Sequence, residues 1–191
     1  EIEASVSEGI KSQIASGVTT IGEISSYDGL DIPILKKSGL RTVLFREVVD
    51  SKEATIDFDN FEQADLFEER LFPHAPYSCN PRLLEKVLKS HKKNKRPVGI
   101  HLAESREEIG FVNRKTNGIE NEVFPLIAKE SFKRKKADTP FGYLKSLEFF
   151  EKNKVTTIHM VQVKAEEVKE IKNLNVGIVL CPRSNLFLQV G

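Results

Sequence analysis

Three of the four histidines in this chain stand at the ends of short apolar runs, where an aliphatic residue would pack better. The run Pro97-Val98-Gly99-Ile100-His101-Leu102-Ala103-Glu104 ends in an imidazole with a carboxylate three residues further on. Leu71-Phe72-Pro73-His74 and Val155-Thr156-Thr157-Ile158-His159 end the same way. An imidazole leaving the carboxyl end of a strand, with an acid on the next turn, places a metal ligand beside a proton carrier, the arrangement of metal-dependent hydrolases. Neutral imidazole suits zinc, iron or nickel. A bound divalent ion brings the pKa of its water to about 7, and a neighbouring carboxylate that cycles between acid and base can both take the water's proton and protonate a leaving amine.

Each residue also has a structural alternative. A strand-end histidine can be a hydrogen-bonded structural residue, Glu104 can complement a helix dipole, and His74, between prolines, can serve a turn. Cys181 before Pro182 reads as a small buried apolar residue.

The elements that must position these groups alternate along the chain. Ile2, Val6, Ile10 and Ile14 recur at four-residue spacing, so residues 2–16 read as an amphipathic helix closed by Gly17. Strands are expected at Val18–Ile24, Arg41–Val49, Arg70–Tyr77, Val98–Ala103, Val155–Val161 and Val176–Cys181. Helices are expected at Ile32–Lys37, Phe58–Glu69, from Asn80-Pro81 to about Lys93, Glu104–Asn113, Ile119–Glu130, from Thr139-Pro140 to Asn153, and Ala165–Leu174. Strands apolar on both faces and separated by helices imply a parallel sheet covered by helices. Ile21-Gly22-Glu23-Ile24-Ser25-Ser26 is not a phosphate-binding fingerprint, which counts against a doubly wound sheet. Functional groups at several strand ends favour a (β/α)8 barrel, two strands short in 191 residues. Two unpaired edges would favour association, so a homo-oligomer is expected.

Composition excludes other classes. With 39% hydrophobic and 30% charged residues and a net charge of +1, the chain is an ordinary globular domain that gives no support for a nucleic-acid partner. The basic clusters at 91–96 and 132–136 read as solvated helix ends. Two cysteines without a Cys-x-x-Cys pattern suggest a reducing, cytoplasmic setting, and no apolar run approaches a membrane span.

The segments Pro-His-Ala-Pro-Tyr-Ser, Ile-His-Leu-Ala-Glu-Ser, Ile-His-Met-Val and Leu-Cys-Pro-Arg-Ser-Asn-Leu resemble, in order and spacing, the amidohydrolase superfamily. The nearest branch is that of the chlorohydrolases and S-adenosylhomocysteine- or guanine-type deaminases, and within it the aminodeoxyfutalosine deaminases of menaquinone biosynthesis. The resemblance implies a distorted (β/α)8 TIM barrel of the metal-dependent hydrolase type, with residues 1–191 as its central portion, carrying about six parallel strands (the second to the seventh). It implies one divalent metal, zinc first, with iron, nickel or manganese as alternatives, and a nucleoside-like small-molecule substrate. It casts His101 as the metal ligand, Glu104 as the acid/base, His159 as the group that polarises and orients the attacking hydroxide, and His74 and Arg46 as substrate contacts. The family's His-x-His pair and its later aspartate have no counterpart in this sequence, which begins at Glu1. The expected activity is therefore hydrolytic deamination of an adenine-like nucleoside derivative by a longer protein, this piece being inactive alone. The alternatives are a chlorohydrolase acting on a halogenated heterocycle, or a non-catalytic truncated barrel that binds or assembles.

Overall fold

A computed structural model describes residues 1–26, 29–115, 118–127, 134–151 and 153–190. The chain divides into two compact units, one formed by residues 1–47 and 59–72, the other by residues 48–58 and 73–191.

In the first unit, helix α1 (Ile2–Ala15) is followed by Gly17, whose φ of +80° turns the chain into strand β1 (Thr20–Ser25). Helix α2 (Ile32–Lys37) gives way at Gly39 (φ +75°) to β2 (Arg41–Val48). A short strand β3 (Gln63–Ala64) then pairs with β4 (Phe67–Pro73). Sheet order is β1-β2-β4-β3, with β1 and β2 parallel in the register Thr20↔Arg41 to Ser25↔Arg46 and β3 antiparallel to β4. Ile10, Leu35, Leu40, Leu44 and Phe67 form the core, with Val6, Ile21, Ile32 and Ile34 packed against it.

The expected helix at Phe58–Glu69 is not there. Phe67, Glu69 and Leu71 are buried while Glu68 and Arg70 are less so, a period of two that belongs to a strand. Arg70 Nε meets Glu68 Oε1 at 2.8 Å, which the same-face relation of residues i and i+2 in a strand permits. Buried Glu69 is paired at 2.6 Å with Arg46.

The second unit carries α3 (Pro81–Asn94), β5 (Val98–Leu102), α4 (Arg106–Val112), α5 (Phe124–Ile127), α6 (Pro140–Ser146), β6 (Val155–His159), α7 (Ala165–Ile171), β7 (Val176–Val179) and α8 (Pro182–Phe187). Strands β5, β6 and β7 form a parallel sheet in that order. Asn80 caps α3 by accepting the Leu83 N–H at 2.8 Å, and Pro81 supplies the first helical residue. Leu83, Leu84, Val87 and Leu88 turn that helix's apolar face inward. Val98, Ile100, Leu102, Val155 and Ile158 line the buried faces of β5 and β6, with Phe111, Phe141, Phe149 and Phe150 among the large side chains packed within the unit.

Four further expectations change here. The strands lie in two sheets, one of them with an antiparallel member, and among the described residues they close no barrel. Helix α6 stops at Ser146, where Leu147 leaves helical geometry and Glu148 takes φ +57°. The expected helix from Ile119 is a π-helical turn running into α5 as far as Ile127, beyond which it lies outside the described residues. Of the basic cluster at 132–136, Phe132 and Lys133 also lie outside them, but Arg134 is no solvated helix end. Its guanidinium stands 3.9 Å over the Phe111 ring and pairs with Glu120, its side chain 10% exposed. The cluster at 91–96 does close α3, with His91, Lys92 and Lys93 in the last turn.

Candidate active site

Within the second unit, three imidazoles gather where the chain leaves its strands. His74 follows β4, His101 is the fourth residue of β5, and His159 is the last of β6. The His74 and His101 ring centroids are 5.4 Å apart, and those of His101 and His159 are 5.2 Å apart. Backbone bonds hold this spacing: the His101 N–H donates to the His74 carbonyl at 2.9 Å, and the β5–β6 register places Leu102 opposite His159.

The ladder continues past the regular strands. The Met160 N–H donates to the Leu102 carbonyl at 3.0 Å and the Gln162 N–H to the Ala103 carbonyl at 2.8 Å. Ala103, His159 and Met160 adopt φ of +54°, +76° and +55°, a left-handed conformation unfavourable for non-glycine residues.

Each ring has a hydrogen-bonding partner or a charge environment that constrains it. His159 is 5% exposed. Its Nδ1 lies 2.9 Å from Asn185 Oδ1 on α8. An amide oxygen only accepts, so Nδ1 carries the proton and Nε2 is left to face Glu104 Oε1 at 3.4 Å. His74 Nδ1 is 2.8 Å from the Ser78 hydroxyl, which also accepts the Ala75 N–H and donates to the Ala75 carbonyl, both at 3.1 Å. Burial lowers the His74 pKa to about 4. Burial, then the neighbouring His74 and His159, lowers that of His101 to about 3. Both rings are therefore neutral at pH 7 and present nitrogen lone pairs, the protonation state that zinc, iron or nickel requires of a histidine ligand. The donor chemistry fits a borderline divalent ion, with His101, between the other two rings, placed to hold it.

Four of the five expected site residues thus lie in this unit, and three of them are linked in sequence: His101 beside His159, and His159 against Glu104. Arg46 belongs to the first unit, where its Nη2 is engaged by Glu69. Three partners were not anticipated as such: Ser78, Asn185 and Glu108. The carboxylate of Glu108 accepts the Glu104 N–H at 3.0 Å. The signal for it was the Ser105-x-x-Glu108 spacing of a capping box. Cys79 is fully buried, donates to the Val48 carbonyl at 3.1 Å and has its pKa raised by burial to about 12, which makes it inert. Cys181 is half-buried at the start of α8.

The sequence profile described as the amidohydrolase family matches residues 1–191, and the chain belongs to that family of hydrolases. It is 32% identical over 200 aligned positions to an aminodeoxyfutalosine deaminase from a Nitratiruptor species, the match covering 98% of this chain and 47% of that protein. The chain thus spans about half the length of the curated relatives it matches. The crystal structure of Helicobacter pylori aminofutalosine deaminase superimposes with a TM-score of 0.76 at 23% identity, over 96% of this chain and 47% of that one. An adenosine deaminase from Xanthomonas campestris with bound zinc gives 0.72 at 21% identity, over 99% and 42%. The fold is accordingly α/β with parallel strands, matching part of the amidohydrolase barrel enzymes. Among the described residues, no helix is long and apolar enough to cross a membrane.

Proposed function

We propose that this chain is the central portion of a single barrel domain in a metal-dependent hydrolytic deaminase, acting on an adenine-like nucleoside derivative. The observation that carries the reading is the approach of His159 Nε2 to Glu104 Oε1 at 3.4 Å, beside the neutral ring of His101.

In this reading His101 helps hold one divalent ion, zinc first, which when bound makes water acidic enough to attack at neutral pH. Glu104 takes one proton of the attacking water as the water oxygen bonds to the amino-bearing carbon, and delivers it to a ring nitrogen. Glu104 then takes the remaining hydroxyl proton of the adduct and passes it to the amino group, which leaves as ammonia when the C–N bond breaks. Its side chain is 23% exposed, reachable by substrate yet partly screened from bulk water. His159, its Nδ1–H fixed by Asn185, presents Nε2 to the same proton and orients the nucleophile. His74, braced by Ser78, contacts the substrate. Arg46 is the second proposed contact, since a guanidinium has five N–H donors and Glu69 does not use them all. The nucleoside deaminases among the relatives support an adenine-like substrate, and aminodeoxyfutalosine or 5′-deoxyadenosine are the first compounds to try.

The test is expression of the complete reading frame, metal analysis, and ammonia release from adenosine, methylthioadenosine, S-adenosylhomocysteine, 5′-deoxyadenosine and aminodeoxyfutalosine. Glu104→Gln is expected to cut kcat by about 10²–10⁴-fold, the span of general acid–base catalysis, with the metal retained. Unchanged turnover sinks the reading; loss of metal together with turnover makes Glu104 structural. The 191-residue piece alone is expected to show no useful deaminase activity.

A further inference from the structure

Glu108 is 1% exposed, and its buried Oε1 has no hydrogen-bond partner among the described residues. A leucine would fill that volume without desolvating a carboxyl group, so the acid needs a return for its place. Burial pushes its pKa up to about 8, against the lowering effect of the Ala103 and Glu104 backbone N–H groups. Those two residues form the turn that follows β5. Ala103 is 1% exposed and held at φ +54°, and its carbonyl accepts the Gln162 N–H at 2.8 Å. The Glu104 N–H donates to Glu108 Oε2 at 3.0 Å. The Glu108 N–H itself rests on the Ser105 hydroxyl at 3.3 Å, so the carboxyl group is aimed by the first turn of α4.

We propose that Glu108 is a positioning residue: its buried carboxyl clamps the left-handed Ala103–Glu104 turn and so holds the Glu104 side chain within reach of His159. The inference rests on the reading of Glu104 as proton carrier. Without the clamp, the Ala103 backbone is free to relax toward a right-handed or extended conformation, which swings the Glu104 side chain away from Nε2. A shift of about 1 Å in a catalytic group can cost about 10²-fold in rate. A capping box alone would stabilise α4 without touching turnover.

The two roles separate in the full-length protein, assayed by ammonia release from 5′-deoxyadenosine or whichever adenine nucleoside of the panel turns over. Glu108→Ala is expected to lower kcat by about 10- to 100-fold with KM nearly unchanged and metal content retained. Glu108→Gln, whose amide oxygen accepts the same backbone N–H, is expected to restore most of kcat. Should the alanine variant not fold, Glu108→Asp replaces it; its carboxylate is one methylene short of the Glu104 amide and should lose kcat similarly. Variants that lower the unfolding temperature but keep wild-type kcat well below it overturn the proposal and leave a helix cap. Glu104→Gln, run alongside, tests the underlying reading separately: full turnover there removes both, whereas its loss with an unaffected Glu108→Ala removes only the clamp.

Discussion

The two units handle left-handed backbone differently. In the first, the described residues with positive φ are glycines: Gly17, Gly29 and Gly39. In the second they are Lys95, Ala103, Arg114, Glu148, His159, Met160 and Gln189. Glycine takes this conformation without steric cost, whereas other residues lose roughly 1–2 kcal/mol each. The first unit therefore turns its chain where turning is cheap. The second accepts strain, and three of its seven strained residues stand at the ends of β5 and β6, where they aim Glu104 and His159. Strained backbone of this kind clusters at functional sites, which supports the roles proposed for Glu104 and His159.

Acid should sharpen this comparison most. The folded-state pKa values of His74 and His101 are depressed to about 4 and about 3 from an ordinary 6.5. Their contribution to stability is therefore present above pH 6.5 and lost as pH falls through that range toward 4 and then 3. Glu108 and Asp50 of the same unit work in the opposite sense, burial raising both carboxyl pKa values, so they favour the fold as pH falls and offset part of the histidine loss. In the first unit, burial and then Asp31 raise the pKa of Glu23, so acidification from neutral pH relieves that unit. Amide exchange at pH 7 and pH 5 should show protection falling in β5 and β6 while β1 and β2 hold. Equal loss in both units would mean the histidines are not the acid-sensitive groups.

A smaller effect is expected from Gly39→Ala. At φ +75° an added Cβ meets nothing within 4 Å, so the cost is conformational alone, about 1 kcal/mol, readable as a shift in denaturation midpoint. Smaller still is Ala103→Gly. Relief of the left-handed penalty is offset by glycine's greater unfolded-state entropy, so stability should change by less than about 1 kcal/mol. Turnover of the full-length protein should nevertheless fall, because the turn carrying Glu104 becomes loose. A marked gain in stability with turnover intact would show that the strain at Ala103 holds nothing in place.

Much of this was legible in the residues. Apolar runs located β1, β2, β5, β6 and β7 to within a few residues, and Asn80-Pro81 announced α3, because apolar runs and cap chemistry are local signals. Burial on both faces does not follow from such a run, since β1 and β7 are left mostly unburied. The stretch from Phe58 to Glu69 misled because acidic residues among widely spaced Phe and Leu imitate an amphipathic helix. The alternation Phe67, Glu69, Leu71 is the better guide, and buried Glu69 disguises it until Arg46 is seen to neutralise it. The three strand-end histidines were readable because nothing in a buried strand otherwise calls for imidazole. Their ring partners were not: Ser78 and Asn185 become meaningful only once the backbone brings a hydroxyl and an amide to particular ring atoms, whereas Glu108 left the signal of a capping box but not of its bond to the Glu104 amide. Arg134 was misread for the same reason, since its place over Phe111 is a tertiary contact.

The bonds from Met160 to Leu102 and from Gln162 to Ala103 extend the β5–β6 seam into what would otherwise be two independent loops. An insertion or deletion of a single residue on either side of that seam would shear the Glu104–His159 pair out of alignment. Divergence toward other substrates, natural or engineered, is thereby steered to segments that the seam does not bind, such as those after Ser105 or Val163. The proposed proton-transfer pair is fixed by main-chain stitching, leaving the surrounding loops open to change.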